Sequence, residues 1–225
     1  DLAAQFKAEH GYDLLPYLSL LAGYCQGDAT EADAVLRDFR GFLAGLMQRN
    51  YYAAFTELCH RRGLQSYIEP YGFGPFDHVT AGGAADVPMA EFWLDLKEGT
   101  NFEAAISAAH IYGKSVVSAE AFTSWSDVNW KVHPARLKFP GDYAWARGVN
   151  EFCLHRFAHQ ANTHVVPGMT MGDIGSQLDR TQTWWPTAGR EWLRYVARGS
   201  YLLRQGQPVA DVLIYTGETS PQPTP

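Results

Sequence analysis

Apolar residues recur every three or four positions over about 32–62, which predicts one long amphipathic helix. Thr30, followed by Asp33, resembles a capping box at its start, and Gly63 follows its last turn. The same spacing predicts further helices at about 102–112, 142–148 and 189–205.

Short apolar or alternating runs predict strands at about 65–69, 89–93, 115–120, 152–159 and 209–215. Strands that alternate with helices predict a parallel sheet or barrel of the α/β class. An eight-stranded barrel needs roughly 250 residues. We therefore predict an incomplete (β/α)8 TIM-type barrel, its later part, over 1–207. Residues 208–225 are predicted to be a last strand, or the start of a following domain, with a Pro-rich tail.

The charge pattern excludes several classes of partner. The net charge is −6, and acidic and basic residues are interspersed without a Lys/Arg run. This pattern argues against nucleic acid and against an anionic membrane surface. No apolar stretch is long enough to span a bilayer. The chain opens at Asp1 without Met, and we interpret it as a piece of a longer protein.

Three glutamates are candidates for catalysis. Glu69 and Glu120 each end a predicted strand and precede loop-like sequence, and Glu91 is a third case. The C-terminal ends of barrel strands face the active site. Glycoside hydrolysis needs one carboxyl group to protonate the leaving oxygen and another to activate water or attack the anomeric carbon. The alternative for each glutamate, taken alone, is a structural ion pair or a helix cap.

Motifs for other chemistries are missing from the sequence. The histidines at 155, 159 and 164 lack the H-E-x-x-H spacing of a zinc hydrolase. There is no G-x-G-x-x-G, no P-loop and no G-x-S-x-G. Cys25, Cys59 and Cys153 form no C-x-x-C, and we interpret them as buried free thiols.

Aromatic residues make up 14% of the chain, and seven of them are tryptophan. A large core accounts for most of them. Four tryptophans lie in polar, turn-rich sequence, where an aromatic ring is often a binding platform. These are Trp125, Trp130, Trp184 and Trp185.

A series of segments carries a family resemblance. They are I-E-P-Y-G at 68–72, G-P-F-D at 74–77, A-D-V-P-M-A-E-F-W at 85–93, A-A-H-I-Y-G-K at 108–114, A-E-A-F-T at 119–123, H-R-F-A-H-Q at 155–160, P-G-M-T-M-G at 167–172, D-R-T-Q-T-W-W at 179–185 and A-D-V-L-I-Y at 210–215. In this order they resemble glycoside hydrolase family 106, the bacterial α-L-rhamnosidases. The resemblance implies a (β/α)8 catalytic domain and exo-acting hydrolysis of terminal α-L-rhamnose with inversion. It also implies a calcium ion that helps hold the sugar, and a periplasmic or secreted parent protein.

The resemblance places Glu69, Glu91 and Glu120 at motif positions and leaves the acid and the base among them open. We favour Glu120 as the base that activates water, and Glu91 as the acid or a calcium ligand. Glu69 is the alternative acid or a substrate-binding carboxylate, and the acid could also precede Asp1. The candidate substrate contacts are His159, Asp179, Arg180 and Trp184.

The expected partner is a rhamnose-containing oligosaccharide, polysaccharide or glycoside. A retaining barrel glycosidase of other specificity, β-galactosidase-like, is one alternative. Its two carboxyl groups would lie about 5–5.5 Å apart, against about 6.5–9.5 Å in an inverting enzyme. The other alternative is a carbohydrate-binding fragment that binds its ligand but does not hydrolyse it. Because an open barrel exposes strand edges, we expect the chain by itself to be poorly soluble or inactive.

Overall fold

The computed structural model describes residues 1–24, 27–97 and 99–215, so Cys25 and the tail at 216–225 lie outside the described residues. The helices of the described part are α1 Leu2–His10, α2 Leu18–Leu21, α3 Ala29–Met47, α4 Ala54–Arg61, α5 His78–Ala84, α6 Glu103–Ile111, α7 Pro134–Arg147 and α8 Arg190–Leu203. The strands are β1 Tyr67–Ile68, β2 Val87–Trp93, β3 Ser118–Thr123 and β4 Cys153–Leu154.

The long helix predicted over 32–62 is present as α3 and α4, joined by a wider π-helical stretch at Gln48–Ala53. The predicted capping box was wrong. Asp28, rather than Thr30, is the N-cap, and its carboxylate accepts a hydrogen bond from the Thr30 backbone N–H at 2.8 Å. An Asp satisfies an unpaired N–H of the first turn as well as a Ser or Thr does. Gly63 follows the helix with a φ of 68°, as its place in the sequence predicts.

The four strands form one parallel sheet in the order β1-β2-β3-β4. This confirms the α/β class and gives a half-barrel, whereas a closed ring of eight strands is not seen in the described residues. The strand predicted at 115–120 lies at Ser118–Thr123, so Glu120 is inside β3 rather than at its end. The run at 209–215 was expected to be a strand, but it is irregular and exposed. A strand needs a neighbour for its backbone hydrogen bonds, and none of the described strands pairs with this run. The domain boundary near 207 stays a prediction.

Three helices were not predicted from the pattern, α1, α2 and α5, and α7 begins well before the expected 142. Pro134 stands in the first turn of α7, where its fixed φ suits a helix start. Helix α5 packs so closely on α6 that a Cβ on Gly82 would lie 2.6 Å from the Ala108 Cβ. Glycine at this position therefore allows the two helices to touch.

The main hydrophobic core lies on the outer face of the sheet, under the helices. Successive residues of a strand point to opposite faces. Ala90 and Phe92 of β2 and Ala119 and Ala121 of β3 are fully buried in this core together with residues of α6, α7 and α8. Glu91 and Glu120 alternate with them and lie on the inner face. No described helix combines the length and the apolar character needed to cross a bilayer.

Candidate active site

The inner face of the sheet brings the three predicted glutamates together. Glu91 of β2 pairs in register with Glu120 of β3, and Glu120 pairs with Cys153 of β4. Glu69 follows β1 directly. The charges of Glu120 and Glu91 both act on the Glu69 carboxyl group, so all three groups share one cleft. Neighbouring strands lie about 4.8 Å apart. Carboxyl groups on adjacent strands are therefore close enough to repel each other when both are ionised, unless hydrogen-bond donors compensate.

A β-bulge in β3 shapes this cleft. Phe92 pairs with Ala121 and Trp93 pairs with Thr123, which leaves Phe122 between them without a partner. Phe122 has a φ of 68° and a fully buried ring in the outer core. A non-glycine residue in this conformation costs about 1–3 kcal/mol. The extra residue places Thr123 on the inner face, next to Glu120, as bulges commonly re-aim side chains near active sites.

One direct donor and one nearby ring surround Glu120. The Thr123 hydroxyl donates to Glu120 Oε1 at 3.0 Å, and His155 Nδ1 lies 3.0 Å from the same hydroxyl oxygen and 3.2 Å from Glu120 Oε1. The Arg156 guanidinium can only donate, and it lies 3.0 Å from His155 Nε2. His155 Nε2 is therefore an acceptor, and the proton on Nδ1 is donated to the Thr123 oxygen. Burial, and then the charge of Arg156, lower the pKa of His155, while Glu91 opposes them.

Both oxygens of Glu91 accept hydrogen bonds. The Tyr71 hydroxyl donates to Oε2 at 2.8 Å, and the Trp93 indole N–H donates to Oε1 at 2.6 Å. Burial and the charges of Glu69 and Glu91 raise the pKa of Tyr71, so it stays a phenol donor. A Cβ on Gly99 would lie 2.1 Å from the Trp93 Nε1 atom, so only glycine lets this indole reach Glu91.

Glu69 has a different environment. Burial of its carboxyl group, and then the charges of Glu120 and Glu91, raise the pKa of Glu69 to about 7, against the lowering effect of a hydrogen bond from Tyr71. Of the other two carboxyl groups, Glu91 accepts hydrogen bonds from two donors and Glu120 from one. The cluster therefore contains one carboxyl group whose raised pKa, about 7, suits a general acid.

The four predicted substrate contacts lie elsewhere. His159 is exposed and pairs through its backbone with Met169. The Arg180 guanidinium donates to the backbone oxygen of Gln160. Trp184 packs against the outer core. These three positions are not brought to the glutamate cluster by any described contact, and their role toward a substrate stays a prediction.

Asp179, the fourth, is buried and organises its own loop. Its carboxylate accepts hydrogen bonds from the backbone N–H groups of Gly168, Thr181 and Gln182, at 2.9, 2.8 and 3.2 Å, and from the Thr181 hydroxyl at 2.6 Å. Burial acts to raise the pKa of Asp179, but these hydrogen bonds outweigh it and lower the pKa. The geometry gives Asp179 a structural role; contact with a sugar stays a prediction.

The described residues do not fit the calcium ion that the resemblance implies. No group of three or more His, Cys, Asp or Glu side chains in the described part of the chain is placed to hold a metal. Both oxygens of Glu91, the predicted ligand, are already engaged by Tyr71 and Trp93. No role in the reaction is assigned to calcium on these contacts.

Sequence reasoning missed the residues that surround the glutamates: Tyr71, Trp93, Thr123, His155 and Arg156. Two of them had a usable signal. Tyr71 and Trp93 stand two positions after a candidate glutamate, and strand alternation puts such residues on one face. Thr123 stands three positions after Glu120, and only the bulge brings it to that face.

A parallel strand–helix sheet with several carboxyl groups on the side away from its helices is the arrangement of barrel glycoside hydrolases. The chain belongs to glycoside hydrolase family 106, whose model, described as alpha-L-rhamnosidase, matches residues 1–224. The family resemblance seen in the sequence is thereby confirmed.

Two longer proteins are similar to the chain. A rhamnosidase structure from Novosphingobium sp. PP1Y superposes with a TM-score of 0.80 at 31% identity, over 92% of this chain and 20% of that one. A Formosa agariphila protein named "Putative beta-glucuronidase" is 42% identical over 97% of this chain. The chain spans 18% of that relative's length.

Proposed function

We propose that the protein is a glycoside hydrolase that removes terminal α-L-rhamnose from oligosaccharides, polysaccharides or glycosides. The observation that carries this proposal is the inner-face cluster, in which burial and two neighbouring charges raise the pKa of Glu69 to about 7. Membership of the α-L-rhamnosidase family supports the choice of sugar.

In the proposed reaction, Glu69 is the acid and Glu120 is the base. A water oxygen attacks the anomeric carbon, and Glu120 takes a proton from that water. The bond between the anomeric carbon and the leaving oxygen breaks, and the leaving oxygen takes the proton of Glu69. Thr123 orients Glu120 through its hydrogen bond, and His155 holds the Thr123 hydroxyl in turn. Glu91, held by Tyr71 and Trp93, lies beside the developing oxocarbenium-like sugar in this reaction.

The strand order supports inversion by this pair. Glu69 follows β1 and Glu120 lies in β3, with β2 between them. Two strand spacings and an offset of two residues along the strands place their backbones roughly 12 Å apart. Side chains that point toward each other across this distance suit the wider carboxyl separation of inverting enzymes, about 6.5–9.5 Å. Room for a water between acid and base follows from that separation.

One observation favours a second candidate. Glu91 and Glu120 are register partners on adjacent strands. Their strands lie about 4.8 Å apart. Side chains that project in parallel from strands at this spacing suit the closer carboxyl pair of a retaining glycosidase, about 5–5.5 Å. The relative named as a beta-glucuronidase adds a specificity that this candidate could have.

Proton NMR of a fresh reaction separates the two candidates. The complete protein is mixed with 4-nitrophenyl α-L-rhamnoside, and the first sugar product is followed before it mutarotates. β-L-Rhamnose as the first product supports inversion by Glu69 and Glu120, and α-L-rhamnose contradicts it. Turnover of 4-nitrophenyl β-D-glucuronide alone would overturn the proposed substrate. Rhamnose binding without any turnover would instead make this a carbohydrate-binding protein.

The calcium ion stays a prediction of the family resemblance. The complete protein is treated with EDTA, dialysed and assayed before and after calcium is added back. Loss and recovery of activity would support a calcium site built with groups outside those described. Unchanged activity would contradict the prediction.

A further inference from the structure

A cavity lies beside the glutamate cluster, between the loops that follow β2 and β3. Its volume is about 290 Å³, and its walls include Trp93, Thr123, Ser124 and Trp125. Drug-sized ligands occupy sites of about 300–1,000 Å³, so this cavity suits a smaller ligand, such as a single sugar ring.

Two wall residues connect this cavity to the carboxylates. Trp93 donates its indole N–H to Glu91, and Thr123 donates its hydroxyl to Glu120. A ligand in the cavity would contact Trp93 and Thr123, the two side chains that hold Glu91 and Glu120.

The chemistry of the walls is that of a carbohydrate site. Trp125 is half exposed, at 49%, and its ring centroid lies 4.7 Å from that of the buried Trp93, so the cavity wall presents an accessible aromatic surface. The apolar face of a sugar ring packs on such a surface. The sequence singled out Trp125 as a binding platform, and the reaction proposed above leaves it without a role.

Some polar groups that line the cavity have no hydrogen-bond or ion-pair partner among the described residues. The Ser124 hydroxyl is buried and has no hydrogen-bond partner among the described residues. Arg136 of α7 also lines the cavity, and its guanidinium forms no ion pair with a described residue. Asp95 and Asp127 add exposed carboxylates on the rim. Carboxylate, guanidinium and hydroxyl groups around one aromatic face match the hydroxyl groups of a sugar.

We propose that this cavity binds the leaving-group sugar, the residue to which the terminal rhamnose is attached. The inference rests on the proposed function and adds to it a substrate class: glycans in which rhamnose is linked to another sugar. The cavity then contributes binding energy only when the leaving group is large enough to reach it.

Two substrates with similar leaving oxygens test the proposal in the complete protein. Methyl α-L-rhamnoside leaves the cavity empty, and a disaccharide of α-L-rhamnose linked to glucose fills it. Trp125→Ala is expected to lower kcat/KM for the disaccharide at least about tenfold, which corresponds to about 1.4 kcal/mol, and to leave the methyl glycoside within about twofold. Arg136→Ala, an exposed change that does not touch Trp93, is expected to act in the same direction.

Phe139→Ala is the matched control, because Phe139 is an exposed aromatic of α7 that does not line the cavity. An equal loss on both substrates in Trp125→Ala and Arg136→Ala, or no loss on either, would overturn the proposal. If the unmodified protein hydrolyses neither rhamnoside, the proposed function fails and this inference falls with it. If it hydrolyses both and the variants do not discriminate, only the cavity assignment is wrong.

Discussion

The two faces of one sheet differ in what they contribute. On the outer face, Ala90, Phe92 and Ala121 are completely buried against helices. On the inner face, Glu91 and Glu120 stand side by side and depend on hydrogen-bond donors from neighbouring segments. The same strands supply both sets by simple alternation. The outer face therefore stabilises the fold, and the inner face concentrates the carboxyl groups of the candidate site.

The largest expected effect is on the inner face. Glu120→Gln removes the proposed base, and kcat should fall by about 10²–10⁴-fold. The unfolding midpoint in urea should stay close to that of the unmodified protein, because a partly exposed carboxylate becomes an amide of the same shape. Glu57→Gln, which changes an exposed glutamate paired with Arg61, is the control and should keep full activity. Equal activity of the two variants would contradict the assignment of Glu120.

The outer face should show the opposite response. Phe92→Ala removes a fully buried ring that packs against Phe102, Phe122 and Phe152. We expect the free energy of unfolding to fall by about 3–5 kcal/mol, measured by urea denaturation of the complete protein. The KM of the fraction that remains folded should change little. A Phe92→Ala variant with an unchanged urea midpoint and lost activity would contradict this account, because the outer face would then contribute to the reaction rather than to stability.

A smaller effect is expected at His155, which acts on Glu120 through Thr123. His155→Phe removes the Nδ1 donor to the Thr123 hydroxyl, a hydrogen bond of about 0.5–1.5 kcal/mol, so kcat should fall about 2- to 10-fold. His155→Gln restores a donor and should recover part of the rate. The alkaline limb of the pH profile should stay in place in both variants. Identical losses in Phe and Gln would indicate that the ring only fills space.

The pH profile offers the finest test of the comparison. If Glu69 must carry its proton, kcat/KM falls as the pH rises through about 7, the pKa to which burial and two carboxylates raise this group. Glu69→Gln, assayed on an activated aryl rhamnoside, should lose that alkaline limb. Changing one neighbouring charge, in Glu91→Gln, should move the limb to lower pH. If the alkaline limb of the pH profile stays near pH 7 in Glu69→Gln, the limb reports the titration of another group and the assignment of Glu69 is wrong.

Much of the architecture could be predicted from local patterns. The periods of two and near four located the four strands that pair and the helices α6 and α8 that cover them. The predicted strand ends indicated Glu69 and Glu120, with Glu91 as a third case, although Glu91 and Glu120 lie inside β2 and β3. These features depend on neighbours in sequence. The family resemblance located the same glutamates independently.

The remaining features depend on contacts between distant segments. Phe122 in a left-handed conformation turns Thr123 toward Glu120, and no residue pattern signals such a bulge at a phenylalanine. His155 meets Glu120 only because β4 pairs with β3. Asp179 looked available for a sugar, but its oxygens hold the backbone of its own loop. Such roles follow from tertiary geometry.

The most direct test of the central claim compares two leaving groups in Glu69→Gln of the complete protein. An acid is needed only when the leaving oxygen is a poor leaving group. We predict that this variant hydrolyses methyl α-L-rhamnoside about 10²–10⁴-fold more slowly than the unmodified protein and loses far less on 2,4-dinitrophenyl α-L-rhamnoside. The same fractional loss on both substrates, or none, would show that Glu69 is not the acid and that the acid belongs to another group.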